Sequence, residues 1–89
     1  MLEDEKLENL RLEIYGIDKQ LIDLISRRLA VARSIGEVKK KSGMAILQAG
    51  REQEVIEKRR ALAISAGIDS GLVERLFREL MAASRKAQE

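Results

Sequence analysis

The sequence predicts an all-α chain of three helices, one long and two short. Three observations carry that prediction. Apolar residues recur at alternating steps of three and four from Leu7 to Val38, the chain contains no Pro, and no segment alternates as a half-buried strand does.

The long helix comes first. Leu7, Leu10, Ile14, Ile17, Leu21, Leu24, Arg28, Val31, Ile35 and Val38 fall on one seam, and most residues between them are good helix formers. The spacing predicts one helix from about Asp4 to about Lys41. At the α-helical rise this is a rod of roughly 55–60 Å, whereas a compact chain of this length has a radius of gyration of only about 12 Å. Ser42 and Gly43 end it, with Lys39, Lys40 and Lys41 at the negative end of its dipole. After a short loop, a second helix is predicted from about Arg51 to Ala66, its buried side marked by Val55, Ile56, Leu62, Ala63 and Ala66. Gly67 stops it. Asp69 or Ser70 can cap a third helix over 70–88, with a stripe of Val73, Leu76, Phe77, Leu80 and Met81. Residues 1–89 thus read as one helical domain. The two short helices can lie along the rod, but its seam then needs a further partner to become dry, and a symmetric second copy is the commonest one. A homodimer is expected.

Composition removes several function classes. With 36% charged and 45% hydrophobic residues the chain is globular. It has no Cys and no His, which excludes a disulfide framework, a thiol nucleophile and the usual zinc sites. No metal or cofactor is expected. Lys plus Arg number 17 against 15 Asp plus Glu, and a net charge of +2 argues against nucleic acid as partner. No apolar run approaches the roughly 20 residues that cross a bilayer, and Met-Leu-Glu-Asp-Glu-Lys does not begin a signal peptide. A cytoplasmic location is expected.

The informative residues are polar ones on apolar faces. Arg28 occupies a seam position, where an unpaired buried guanidinium is costly. It reads equally as half of an interhelical ion pair, as a register-setting polar residue, or as the ligand of an anion. Arg11 and Lys39 each follow a seam residue directly; alone, either is a solvated flanking charge. They lie 28 positions apart, about 42 Å along the rod. One chain cannot bring both to a small ligand, but an antiparallel partner helix can. Glu52 precedes Val55 and Ile56 by three and four residues, which fits a cavity-facing carboxylate or a first-turn acid serving the dipole. Arg51 beside it is ambiguous in the same way. Ser84 and Gln88 continue the stripe of the third helix, as a fraying amphipathic tail also would. Taken together these side chains suit a small dianion, because Arg forks grip carboxylates at two points and stay charged. General acid–base and covalent catalysis are weakly supported without His or Cys. A rearrangement that needs only a frozen conformer and stabilised charge fits better.

The pattern Leu10-Arg11-x-x-Ile14-x-x-Ile17-Asp18-x-x-Leu21-x-x-Leu24-Ile25-x-x-Arg28, then Ile35-Gly36-x-x-Lys39, Arg51-Glu52 and Ser84-x-x-x-Gln88 resembles the all-helical chorismate mutases, the AroQ class. The resemblance implies an intertwined homodimeric helical bundle. It also implies a cofactor-free Claisen rearrangement of chorismate to prephenate, on the route to Phe and Tyr, in two sites that each draw on both chains. It implies that Arg11 reaches across the dimer to the enolpyruvyl carboxylate with Lys39 assisting, and that Arg28, supported by Ser84, binds the ring carboxylate. Lys39 and Gln88 would donate to the ether oxygen, Glu52 would accept from the ring hydroxyl, and Arg51 would add positive potential. One position departs from the family pattern. Where an Asp usually caps the second helix near the substrate hydroxyl, this chain has Gln48, which caps poorly and carries no charge. An isochorismate pyruvate-lyase of the same fold, or a non-catalytic dimerisation or regulatory module, would share much of this pattern.

Overall fold

The computed structural model describes residues 2–89 as three helices: α1 (Leu2–Ser42), α2 (Ala49–Ser65) and α3 (Ser70–Gln88). No strand occurs among the described residues. Met1, the first residue of the predicted domain, lies outside them. The all-α, three-helix prediction holds. The molecule measures 62 × 25 × 15 Å with a radius of gyration of 17.3 Å, well above the value of about 12 Å for a compact chain of this length.

Each helix end has a local cause. Gly43 adopts φ +68°, and the N–H groups of Gly43 and Met44 return to the carbonyls of Lys40 (3.3 Å) and Lys39 (2.9 Å). Gly67, at φ +73°, repeats the motif, with Gly67 and Ile68 donating to Ile64 (3.1 Å) and Ala63 (2.9 Å). Both are Schellman endings that only an achiral residue enters cheaply. Asp69 caps α3, its Oδ2 accepting from the Leu72 N–H at 3.0 Å.

α3 is the hub: α1 and α2 each pack on it and not on each other. The face α1 turns to it consists of Ile25, Arg28, Leu29, Ala32, Gly36 and Lys39, all buried or half-buried. Ala32 and Gly36 are the most enclosed, and such small residues let two helix axes approach closely. Beyond Ala32 the buried apolar core among the described residues is Ile56, Ala63 and Met81. Across the α2–α3 contact, Arg60 donates to Glu74 at 2.7 Å, and within α3 Arg78, one turn on, donates to the same carboxylate at 3.0 Å. The hydrogen bonds from Arg78 and then Arg60 hold the Glu74 carboxyl below its ordinary range.

The seam itself remains uncovered. Every residue from 2 to 24 except Gly16 is exposed, and so are Val31, Ile35 and Val38 further along. Leu62 and Ala66, expected on the buried side of α2, are exposed too. The reason is that α2 touches one neighbour only, so its buried stripe narrows to Ile56 and Ala63.

Candidate functional site

A cavity of about 360 Å³ opens between the C-terminal part of α1, the start of α2 and the end of α3. That volume is in the range of small-molecule sites. Its wall includes Arg28, Lys39, Gln48, Arg51, Glu52, Ser84 and Gln88, with apolar surface from Val31, Ile35, Val55 and Met81. Arg11 does not reach it. The Arg11 guanidinium is exposed and stands 3.9 Å from Glu8, one turn earlier on α1.

Arg28 is half-buried and has no carboxylate partner among the described residues. One of its nitrogens donates both to the Ser84 hydroxyl and, at 3.4 Å, to the Leu80 carbonyl. Ser84 in turn donates to that carbonyl at 2.8 Å. Burial, and after it the nearby charge of Arg59, push the guanidinium below its ordinary value. The ion-pair reading of Arg28 thus finds no acid among the described residues of the chain.

Lys39 is fixed from two sides, donating to the Ile46 carbonyl at 2.9 Å and to Gln88 Oε1 at 3.1 Å. Gln88 is buried although it is almost the last residue of the chain, because Gly36 lets the end of α3 settle directly on α1. A Cβ on Gly36 would lie 2.8 Å from the Gln88 Cα and 2.9 Å from its carbonyl oxygen. Gly36→Ala is expected to push Gln88 out of the cavity. The helix-propensity gain of about 1 kcal/mol is outweighed by an overpacking cost of about 1–3 kcal/mol. A lowered thermal midpoint of Gly36→Ala checks this balance.

Glu52 is the only acid in the wall among the described residues. Both of its oxygens lie 2.6 Å from a single nitrogen of Arg85, which fastens the start of α2 to the end of α3. Arg51 points outward enough to pair with Glu54 at 3.4 Å. Gln48 occupies the N-cap of α2 without a side-chain capping bond, so the first N–H groups of this helix lack the partner that Asp69 gives α3. Gln48→Asp should add that bond and favourable dipole charge, stabilising the fold by about 0.5–1 kcal/mol. For a domain of this size such a gain raises the thermal midpoint by a few degrees, and an unchanged midpoint would contradict it.

Two charged wall residues escape the sequence reading, Arg59 and Arg85. Arg59 follows Val55 by four and Ile56 by three, the mirror image of the spacing that singles out Glu52, so periodicity could have found it. Arg85 follows Met81 by four and Phe77 by eight, so the stripe of the third helix could have found it as well. With Arg85 on Glu52 and Arg51 on Glu54, three wall cations have no acid within ion-pair distance among the described residues: Arg28, Lys39 and Arg59. Such a set of cations suits a small anion.

The comparisons agree with this geometry. The family model described as chorismate mutase type II matches residues 10–89. The T-protein of Haemophilus influenzae is 38% identical over 77 residues, covering 86% of this chain and 20% of that protein. The chorismate mutase of Methanocaldococcus jannaschii is 27% identical over 84 residues, covering 94% of this chain and 85% of that protein. Among solved structures, a conserved hypothetical protein from Pyrococcus furiosus superposes with a TM-score of 0.76 at 31% identity, covering 94% of this chain and 96% of that one. The chain thus spans about a fifth of the length of T-protein.

Proposed function

The chain belongs to the chorismate mutase type II family, and on that premise we propose that it rearranges chorismate to prephenate in a cavity shared by two copies. The observation that carries the proposal is the trio of acid-free cations, Arg28, Lys39 and Arg59, around an apolar-walled chamber. Chorismate carries two carboxylates, and the rearrangement moves no proton. The protein's task is then to hold the substrate in its compact conformer and to stabilise the charge that separates as the carbon–oxygen bond breaks.

In this reading Arg28 takes the ring carboxylate, held in place by Ser84 and the Leu80 carbonyl. Lys39 and Gln88 face the ether oxygen, where negative charge grows. The contact of Gln88 Oε1 with Lys39 leaves its amide N–H₂ as the donor for that oxygen. Glu52, oriented by Arg85, accepts from the ring hydroxyl. Arg51 adds positive potential, and a backbone N–H near Gln48 replaces the missing acid at the hydroxyl. The second copy supplies Arg11 for the enolpyruvyl carboxylate. The uncovered seam of α1 supports an intertwined dimer, because its exposed Leu, Ile and Val side chains from Leu7 to Val38 form a stripe far longer than any single surface residue accounts for. No helix among the described residues is long and apolar enough to cross a membrane, and we assign the reaction to the cytoplasm.

The test is direct. Purified protein should convert chorismate to prephenate well above the buffer rate. Isochorismate run in parallel separates the mutase from a lyase of the same fold, since release of pyruvate from isochorismate as the faster reaction would favour the lyase. No conversion of either substrate would end the enzymatic reading in favour of a non-catalytic module.

A further inference from the structure

Arg59 stands on the cavity side of α2, four residues after Val55 and seven after Glu52, which line the same wall. Its guanidinium carbon lies 5.7 Å from the centroid of the Phe77 ring, and that of Arg28 lies 5.8 Å from the same centroid. One aromatic ring of α3 thus gathers two guanidinium groups from two other helices. Cation–π attraction favours both positions singly, but the two charges repel each other, and Arg59 is one of the causes that lower the Arg28 value. Neither has an acid partner among the described residues. The contrast with the adjacent Arg60 is instructive, since Arg60 is neutralised by Glu74 at 2.7 Å. A pair of cations that is repulsive when the chamber is empty becomes favourable when one carboxylate bridges it.

We propose that Arg59 is a substrate-binding residue that shares with Arg28 one carboxylate of the dianion, at the Phe77 end of the cavity. This rests on the mutase reading given above. The remaining acid-free cation, Lys39, is left for the other end of the ligand, so the wall is divided between a two-arginine seat and a lysine. Arg28 commits one nitrogen to Ser84 and Leu80 and keeps the rest of its fork for the carboxylate. Arg59 makes no side-chain hydrogen bond to the described residues, and its whole fork is free.

The rival explanation is that Arg59 merely covers Phe77 with its stem. Arg59→Met retains an apolar cover and removes the charge; Arg59→Lys restores charge without the fork. Charge-assisted hydrogen bonds are worth about tenfold or more in affinity. Arg59→Met is therefore expected to raise the KM for chorismate at least about tenfold with kcat changed much less, and Arg59→Lys to recover part of the loss. The ligand-free thermal midpoint should stay or rise, because Arg28 loses a like-charged neighbour. Isophthalate, a rigid aromatic dicarboxylate, should raise the midpoint of the wild-type protein and not that of Arg59→Met. Should Met itself lower the midpoint, Arg59→Gln makes the same comparison. A rise in KM of less than about threefold, in a wild type that converts chorismate, overturns the assignment. If the wild type converts no chorismate, the mutase reading has failed, and isophthalate alone decides on Arg59. An equal midpoint shift in wild type and variant, or none in either, overturns it.

Discussion

Arg11→Ala and Arg28→Ala should each lose turnover by about thirtyfold to several thousandfold, and an equimolar mixture of the two should win part of it back after subunit exchange. Truncating one side of a desolvated charge contact costs about 2–5 kcal/mol, which sets the scale of each single loss. The recovery follows from geometry. Within one chain Arg11 lies 17 positions before Arg28 on an unbroken helix, about 25 Å away, and it makes no contact with the cavity. In the proposed dimer, a second copy laid antiparallel along the exposed seam would bring its Arg11 toward this chain's Arg28 and Lys39. Random exchange makes half of the dimers mixed. Each mixed dimer then has one site with both arginines intact and one site with neither, so about a quarter of all sites should regain wild-type activity. Recovery near that fraction supports shared sites. A mixture that stays silent after native mass spectrometry has verified exchange would sink the shared-site arrangement, and with it the role given to Arg11.

The same geometry explains which parts of the molecule were legible in the sequence. The all-α plan was, because an unbroken three–four spacing without Pro has no strand alternative, and Gly43 and Gly67 sit where left-handed helix endings need them. The side of α1 that packs within the chain was not. Hydropathy marks the seam through Leu, Ile and Val, yet α3 docks one position around the helix, on Ala32 and Gly36. Those residues have little side chain to register as apolar and act by letting backbones approach. The large seam residues find no cover among the described residues of the chain, and only the proposed dimer would cover them. Leu62 misled for a related reason, being an apolar residue on a helix with a single neighbour. Among the polar residues, spacing marked Arg28, Glu52, Ser84 and Gln88, all of which line one cavity. The grip of Arg85 on Glu52 was invisible, since it joins positions 33 apart through tertiary packing alone.

Lys39→Met should lower kcat by about a hundredfold to a thousandfold while changing KM far less. The reason lies in where its charge acts. An interaction that exists in full only when the ether oxygen carries negative charge contributes to the transition state and little to ground-state binding. The Ile46 carbonyl and Gln88 Oε1 fix Lys39 Nζ from two sides, which would prepare it for the proposed task. Its ammonium group is also one of the three wall cations with no acid within ion-pair distance among the described residues. Because Gln88 is bonded to Lys39, the two should behave as one unit. Gln88→Leu alone should cost a substantial part of the same factor, and the double variant should fall well short of the product of the single losses. The competing explanation is that Lys39 only ties down the loop before α2 through Ile46. That tie is one hydrogen bond to a charged group, worth about 1.5–3 kcal/mol, and its loss should lower the thermal midpoint and raise KM as the cavity wall loosens. A Lys39→Met protein with a wild-type midpoint and a collapsed kcat would assign the residue to the reaction. One with a depressed midpoint, a raised KM and a preserved kcat would assign it to the loop.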